Sequence, residues 1–498
     1  METSEITSRT DNIIPQKSLK KNAIFNFFLT FASVLFPFIT TPYISRVLNI
    51  GDIGLINQGS VFSALFINLI SLGVTGYGAR EIARVRNDVE KLNKVFFSVL
   101  TLHICAFILG SIFYLGYTFI FVTEEKLRQV YFIYYFLLAI NPFMIEWLYT
   151  GLEEFKYIAL RSIVIKIVMF ALLFILVRKA KDFLHYAILL VAAQSANGIF
   201  NIIHSRKYVN LRYFRLDLKT VLFGSKYFYL QTLVAICYQN LNQLILGNSD
   251  KIQLAFYVRA TTLVAVISSC VNPIINALKP RLENIISSDE VSYKFYIKKC
   301  FDSVSFILFP LCFGLAVLSK EVMYLFGGTQ FLAGGNVLRI VAFSTLISNF
   351  SVFFNNIIST PAGFERNTLF GNIFVAIFSL VLNPILIIKL GACGAAFAML
   401  FAESAGLFVQ IFFIKRQKLY LNFISWKIIK YFISSGVMYA VLYFLILNFK
   451  SIYISLFLSI FVGAITYFVF YCICSYLFND NEDFVLIFIK KLLIKVKK

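Results

Sequence analysis

Charge is scarce in this sequence, and so are stretches long enough to form a soluble domain. Only 14% of the 498 residues are Asp, Glu, Lys or Arg, against about 25% in soluble domains. The three histidines, His103, His185 and His204, lie far apart. The sequence has no H-E-x-x-H, no G-x-S-x-G and no G-x-x-x-x-G-K-[S/T], which removes zinc-protease, nucleophile-elbow and phosphate-loop chemistry from this chain. Gly73 to Gly78 (GVTGYG) is glycine-rich but belongs to no strand–turn–helix unit, and a bend at a helix end is expected there. The eight cysteines lack the spacing of a disulfide framework or zinc site; Cys472 and Cys474 form a C-x-C with no further ligands nearby. Residues 1–21 are polar and lack the apolar core and small-residue cleavage site of a signal peptide, so the first apolar run is expected to stay in the membrane.

What fills the chain instead is apolar. Hydrophobic residues make up 59%, Phe alone numbers 57, and the mean hydropathy is +0.80. Runs of about 20 apolar residues match the ~30 Å a helix crosses in lipid. They predict fourteen transmembrane helices at 22–45, 53–75, 94–121, 129–150, 161–178, 183–203, 222–247, 252–277, 298–318, 335–358, 369–388, 391–414, 428–447 and 452–477. The fold class is all-α integral membrane.

The net charge of +21 does not mark a nucleic-acid binder, because the cations lie between apolar runs rather than on a basic soluble face. Counted from a cytoplasmic N-terminus, the inner segments hold clusters such as Arg80, Arg84, Arg86, Lys91 and Lys94, and Arg206, Lys207, Arg212, Arg215 and Lys219. The outer turns hold fewer cations, such as Lys251, Lys389 and Lys450. The asymmetry predicts a multi-pass protein of the bacterial inner membrane with both termini in the cytoplasm.

Two internal echoes point to duplication. Val47 to Leu55 (VLNIGDIGL) resembles Ile245 to Gln253 (ILGNSDKIQ), and Gly151-Leu152-Glu153-Glu154 after the fourth predicted helix resembles Gly363-Phe364-Glu365-Arg366 after the tenth. The predicted domains are an N-terminal tail (1–21), a six-helix bundle (22–203), a cytoplasmic linker (204–221), a second six-helix bundle (222–414), and two additional helices with a basic tail (415–498). Repeats of this kind place a site between the halves.

Two segments carry a family resemblance. One is Tyr43-Ile44-Ser45-Arg46-Val47-Leu48, closing a first helix that opens at Asn22-Ala23 and contains Pro37 and Pro42. The other is Trp147-Leu148-Tyr149-Thr150-Gly151-Leu152-Glu153, continuing through Lys156 and Arg161 to Lys166. Both resemble the polysaccharide flippases called Wzx, relatives of the MATE multidrug exporters and the lipid II flippase. The resemblance implies two pseudo-symmetric, MATE-like bundles and transport of an undecaprenyl-diphosphate-linked oligosaccharide, for O-antigen or capsule, from the cytoplasmic to the outer leaflet. It implies alternating access and no cofactor. Its partners would be that lipid-linked oligosaccharide, membrane lipids, a coupling ion (H+ or Na+) and a polysaccharide polymerase. Arginine suits the diphosphate, because its fork donates two parallel hydrogen bonds and stays charged when partly desolvated.

Ionisable groups inside the predicted helices cost ~2.5–3.5 kcal/mol each on insertion scales unless paired or hydrated. Arg259, a third of the way into the eighth helix, is the leading candidate for a cavity cation, with a structural ion pair as the other reading. Lys166, about one turn inside the fifth helix, is either a cavity residue or a snorkelling lysine. Arg46 and Arg80 flank the second helix, as substrate contacts or interface anchors. Gln239 and Asn242 head a polar stretch of the seventh helix that could bond sugar hydroxyls or join helices. Glu146, Asp302 and Glu403 are the acidic candidates, as coupling sites or as partners of the cations; Glu403 reads as the most buried. The competing functions are a MATE-type drug exporter, which would want an acidic cavity, and a polysaccharide polymerase or ligase, which would want a large outer loop.

Overall fold

The computed structural model describes residues 36–286, 289–417, 419, 428–446 and 452–477. Among them no strand forms. Those up to Asn240 pack as one unit and those from Leu241 as a second. The boundary falls inside the predicted seventh helix rather than in the linker at 204–221. There the chain breaks between α9 (Leu218–Gln239) and α10 (Leu241–Ser249), where amides replace the apolar run.

In the first unit, residues 36–47 form α1, followed by α2 (Ile50–Ile70), α3 (Val74–Val85), α4 (Val89–Phe121), α5 (Glu125–Ile140), α6 (Glu146–Gly151), α7 (Phe155–Leu176), α8 (Phe183–Ser205) and α9. Two predicted helices, 53–75 and 129–150, are each broken. Between α2 and α3, Leu72 and Gly73 take φ of 46° and 71°, a left-handed region open to glycine and costly for leucine. This is the bend expected of the GVTGYG segment. Between α5 and α6, Asn141–Phe143 forms a 3₁₀ turn around Pro142, which has no N–H to continue the α ladder. The two fragments beyond the breaks pack together, with the Trp147 ring closing over Gly78. They share a core of their own, in which Val74, Tyr77 and Ile82 of α3 meet Trp147, Leu148 and Tyr149 of α6, Phe96 of α4, Ile158 of α7 and Val221 of α9.

The second unit comprises α10, α11 (Lys251–Ile285), α12 (Glu290–Val317), α13 (Ser319–Gly327), a 3₁₀ turn (Thr329–Gly334), α14 (Gly335–Phe353) running into a π turn (Phe354–Ser359), α15 (Glu365–Arg416), α16 (Ile429–Ile446) and α17 (Ile452–Leu477). Asp250 and Asp289 cap α11 and α12, each carboxylate accepting from backbone N–H groups of the first turn. The core joins α11, α12, α14, α16 and α17. Straight, the 52 residues of α15 would reach ~78 Å. They reverse at Gly391, whose φ of 56° and ψ of −131° lie outside the helical region. The two legs lie side by side, Asn367 and Gln417 exchanging hydrogen bonds of 2.7 and 2.9 Å, and the reversal is tied by Ala392 N–H donating to Gln253 Oε1 at 3.0 Å.

Eleven segments among the described residues are long and apolar enough to cross a membrane. Three differences separate this from the expected fourteen. α15 counts once although it doubles back, the predicted seventh helix is split, and only residues 36–47 of the first predicted helix are among those described.

The two segments of the second echo each hold a left-handed turn, but two residues out of the echo's register: Glu153, not Gly151, stands where the other has Gly363. After α6, Glu153 has φ of 58°, its N–H donates to Thr150 O at 3.1 Å, and the next N–H donates to Tyr149 O at 2.8 Å. Before α15, Gly363 has φ of 75°, with bonds to Thr360 O (3.0 Å) and from Phe364 N–H to Ser359 O (2.8 Å). Both are the same left-handed helix-ending turn.

Candidate functional site

The first unit gathers polar side chains where α6, α7 and α8 meet. Arg161, with 4% of its side chain exposed, pairs with Glu146 Oε1 at 2.5 Å. It also donates to Asn201 Oδ1 and lies over the Tyr157 ring, 5.4 Å from its centroid. That ring stacks on His204 at 3.9 Å, and Tyr149, fully buried, donates to Asn201 O at 2.6 Å. Of the two roles open to Glu146, the structure displays the ion-pair partner. Arg161 was quoted in the sequence only as part of a motif; the depth that singles it out appears once α7 is seen to begin at Phe155. That earlier start also moves Lys166. It stands eleven residues into α7, about three turns rather than one, and is half-buried.

Arg80 and Arg46 are exposed. Arg80 bonds Glu81 at 3.0 Å and lies 5.1 Å from the Phe228 ring centroid and 5.6 Å from that of Tyr77. Glu81 also holds Arg84, at 3.1 Å, so α3 presents two arginines anchored through one carboxylate. Arg46 Nη1 donates to Pro42 O at 2.8 Å.

In the second unit, Arg259 is buried, as its position predicted. Its guanidinium donates to Phe326 O at 3.3 Å and sits 4.8 Å from the Phe331 ring centroid. The carbonyl belongs to the last turn of α13, where unsatisfied acceptors and the helix dipole favour a cation. Eight residues into α11, Arg259 thus reaches back to the segment that joins α12 to α14.

A separate polar group runs through α10, α11, α14 and α15. Asn242 donates to the Tyr257 hydroxyl, Tyr257 faces Met399 Sδ at 3.4 Å, and Glu403 hydrogen-bonds Ser348 within reach of Tyr257. Asn349 adds a bond to Ser268 at 3.0 Å. Asn242 and Glu403, predicted independently, therefore share one neighbourhood. Glu403 is half-buried rather than fully enclosed. The Gln239 side chain lies outside the described residues.

Asp302 accepts from the Tyr431 hydroxyl at 3.0 Å. Beside it stands Lys430, 1% exposed, its ammonium 4.9 and 5.1 Å from the Tyr431 and Tyr471 ring centroids. No sequence pattern singles out Lys430, since a lysine at the start of a membrane helix reads as an interface anchor. Among the described residues no group of three or more His, Cys, Asp or Glu could hold a metal.

Residues 19–286, just over half of the chain, match the model of a family described as polysaccharide biosynthesis protein. The chain belongs to that family. The matched span carries Arg46, Arg80, Lys166, Asn242 and Arg259 of this polysaccharide biosynthesis protein. Two relatives bear the name "Putative O-antigen transporter". The one from Shigella dysenteriae is 25% identical over 417 residues, 80% of this chain and all of the relative. The one from Escherichia coli (strain K12) is 22% identical over 294 residues, 58% of this chain and 71% of the relative. Among solved structures, the lipid II flippase MurJ in an inward closed conformation superposes with a TM-score of 0.72 at 14% identity, covering 93% of this chain and 100% of that one. An outward-facing MATE multidrug transporter of the MOP superfamily gives 0.54 at 15% identity, covering 81% and 97%. The MATE-like helical fold of the family member rests on these two likenesses.

Proposed function

We propose that this chain is a flippase that moves undecaprenyl-diphosphate-linked oligosaccharide repeat units from the cytoplasmic to the outer leaflet of the bacterial inner membrane, for surface polysaccharide assembly. The observation that carries the reading is the match along the full length of a relative named as an O-antigen transporter, joined to a fold shared with a lipid II flippase over 93% of this chain. The chemistry is consistent with it. A diphosphate and a glycan cannot cross hydrocarbon unaided, and cations held in a partly desolvated setting lower that barrier.

The cations we assign to the substrate are Arg46, Arg80, Lys166 and Arg259, with Gln239 and Asn242 for sugar hydroxyls. Arg80 is the best placed for a diphosphate. It is exposed, fixed on one side by Glu81 and backed by two rings. For the coupling ion, H+ or Na+, we put Glu403 first. Glu146 is held by the Arg161 guanidinium, whereas Glu403 has the Ser348 and Tyr257 hydroxyls as neighbours, oxygens able to join a small cation's shell. The working division is two six-helix bundles, 22–203 and 222–414, joined by the 204–221 linker, with 415–498 as an added pair and tail and both termini cytoplasmic.

Deleting the gene should abolish surface polysaccharide and leave lipid-linked repeat units on the inner leaflet. Accumulation of single repeat units at the cell surface would overturn the reading in favour of a polymerase or ligase. Arg80→Ala should reproduce the deletion at unchanged protein abundance, and wild-type polysaccharide in that strain would remove Arg80 from the site.

A further inference from the structure

Between α8 and α9 the first unit carries an arch, residues 206–217, whose backbone is bonded to α4. Asn210 N–H donates to Asn93 Oδ1 at 2.8 Å and Asp217 N–H to Ser98 Oγ at 2.8 Å. Both acceptors are buried side chains. Lys94 pairs with Asp217 at 2.8 Å, and the Phe214 ring sits 5.0 Å from that of Phe97. Asn210 caps the 3₁₀ turn Leu211–Tyr213. The arch is built, yet much of its side-chain surface stays open. All six residues from Leu211 to Leu216 are exposed, with Leu211 at 76% and Phe214 at 52%.

Their order is Leu-Arg-Tyr-Phe-Arg-Leu, so apolar groups and guanidinium groups share one short surface. Across 206–219 there are five cations, Arg206, Lys207, Arg212, Arg215 and Lys219, against the single carboxylate of Asp217, which Lys94 holds at 2.8 Å, and the exposed Glu90 of α4, which lies 3.8 Å from Arg215. In water, four exposed leucine and aromatic side chains on a fixed backbone would be unfavourable. The same surface continues into exposed apolar side chains on both flanks, Ile199, Phe200 and Ile203 of α8 and Leu222 and Phe223 of α9, and α8 is one of the eleven candidate spans.

We propose that the 206–219 arch is a docking surface for anionic phospholipid headgroups of the membrane in which the chain sits. Leu211, Tyr213, Phe214 and Leu216 enter the headgroup–acyl boundary, and Arg212, Arg215 and Lys219 bind lipid phosphates. Because the backbone is fixed beforehand by Asn93 and Ser98, little ordering entropy opposes docking. The inference does not depend on what the chain transports.

Chymotrypsin cuts after leucine and aromatic residues, so the arch itself reports its occupancy. The full-length protein is placed in nanodiscs of phosphatidylcholine alone or of equal parts phosphatidylcholine and phosphatidylglycerol, and cleavage between Leu211 and Leu216 is timed by mass spectrometry. Cleavage should be at least about fivefold slower in the phosphatidylglycerol discs. The triple variant Arg212→Gln, Arg215→Gln, Lys219→Gln should lose that difference while keeping its melting temperature. Equal rates for the wild type in the two discs would overturn the proposal, whether both are fast, as for an arch free in water, or both slow, as for one covered by protein.

Discussion

The two units meet the same two problems with different chemistry. Each buries an arginine. In the first, Arg161 is met by a carboxylate, an amide and a tyrosine ring; in the second, Arg259 is met by a helix-end carbonyl and a phenylalanine ring. Each also closes a helix with the same left-handed turn, using Glu153 in the first and Gly363 in the second. The arginines show that a carboxylate in one unit and a helix-end carbonyl in the other can each serve among the partners of a buried cation. The turns show that an unfavourable φ is tolerated where other contacts hold it, since Glu153 also pairs with Arg86 at 2.8 Å.

The contrast is most exposed to test at Glu146. Glu146→Ala leaves the Arg161 guanidinium buried without its carboxylate and should cost ~3 kcal/mol, read as a large fall in melting temperature of the purified protein. A variant that melts normally but exports no polysaccharide would instead make Glu146 a coupling group. Arg259→Ala should cost less, about 2 kcal/mol, because the substitution removes the buried cation itself instead of stranding it. Arg259→Lys separates two readings. If the residue only braces α11, stability and export fall together; if it also meets the diphosphate, export falls in protein of near-normal melting temperature.

The turns should give smaller effects. A Cβ on Gly363 would meet nothing within 4 Å, so Gly363→Ala isolates the conformational cost, about 1 kcal/mol. A melting temperature unchanged by this substitution would break the parallel with Glu153. The smallest effect is expected at Asp217, the α9 cap. The side-chain bond from Lys94, followed by those from the Thr220 hydroxyl and N–H, holds its carboxyl at about 2, below the ordinary 3.8. A depressed carboxyl contributes stability that is complete above pH ~4 and disappears as the pH falls toward ~2. The melting difference between wild type and Asp217→Asn should therefore be constant at neutral pH and shrink on acidification through that window; a difference that grows would reverse the assignment.

Much of this was legible in the sequence, for a physical reason. Lipid demands an apolar run of fixed length, so helices such as α4, α8 and α17 announce themselves, and the GVTGYG bend follows from glycine chemistry. What hydropathy conceals is where a helix begins in polar sequence. α7 starts at Phe155, six residues before its apolar run, and that offset misplaced Lys166 and hid Arg161. The reversal at Gly391 lies at a predicted helix boundary, whereas the break at Asn141–Phe143 falls inside a predicted helix. Which acids pair with which cations depends on contacts between distant helices, as with Tyr431 and Asp302, 129 residues apart, and no local pattern encodes it.

The core shared by α3 and α6 also fixes an order of events during synthesis. Its first member is Val74 and its last is Val221, 147 residues later. At ~5–20 residues per second a ribosome needs roughly 7–30 s to make that stretch. Tyr77 waits through nearly all of that time, and Trp147 through about its second half, without the α9 residue that completes their packing. The short fragments cut off by the Gly73 and Pro142 breaks are thus the last parts of the first unit to become native, and a nascent chain arrested before Val221 is where a chaperone or protease would find them open.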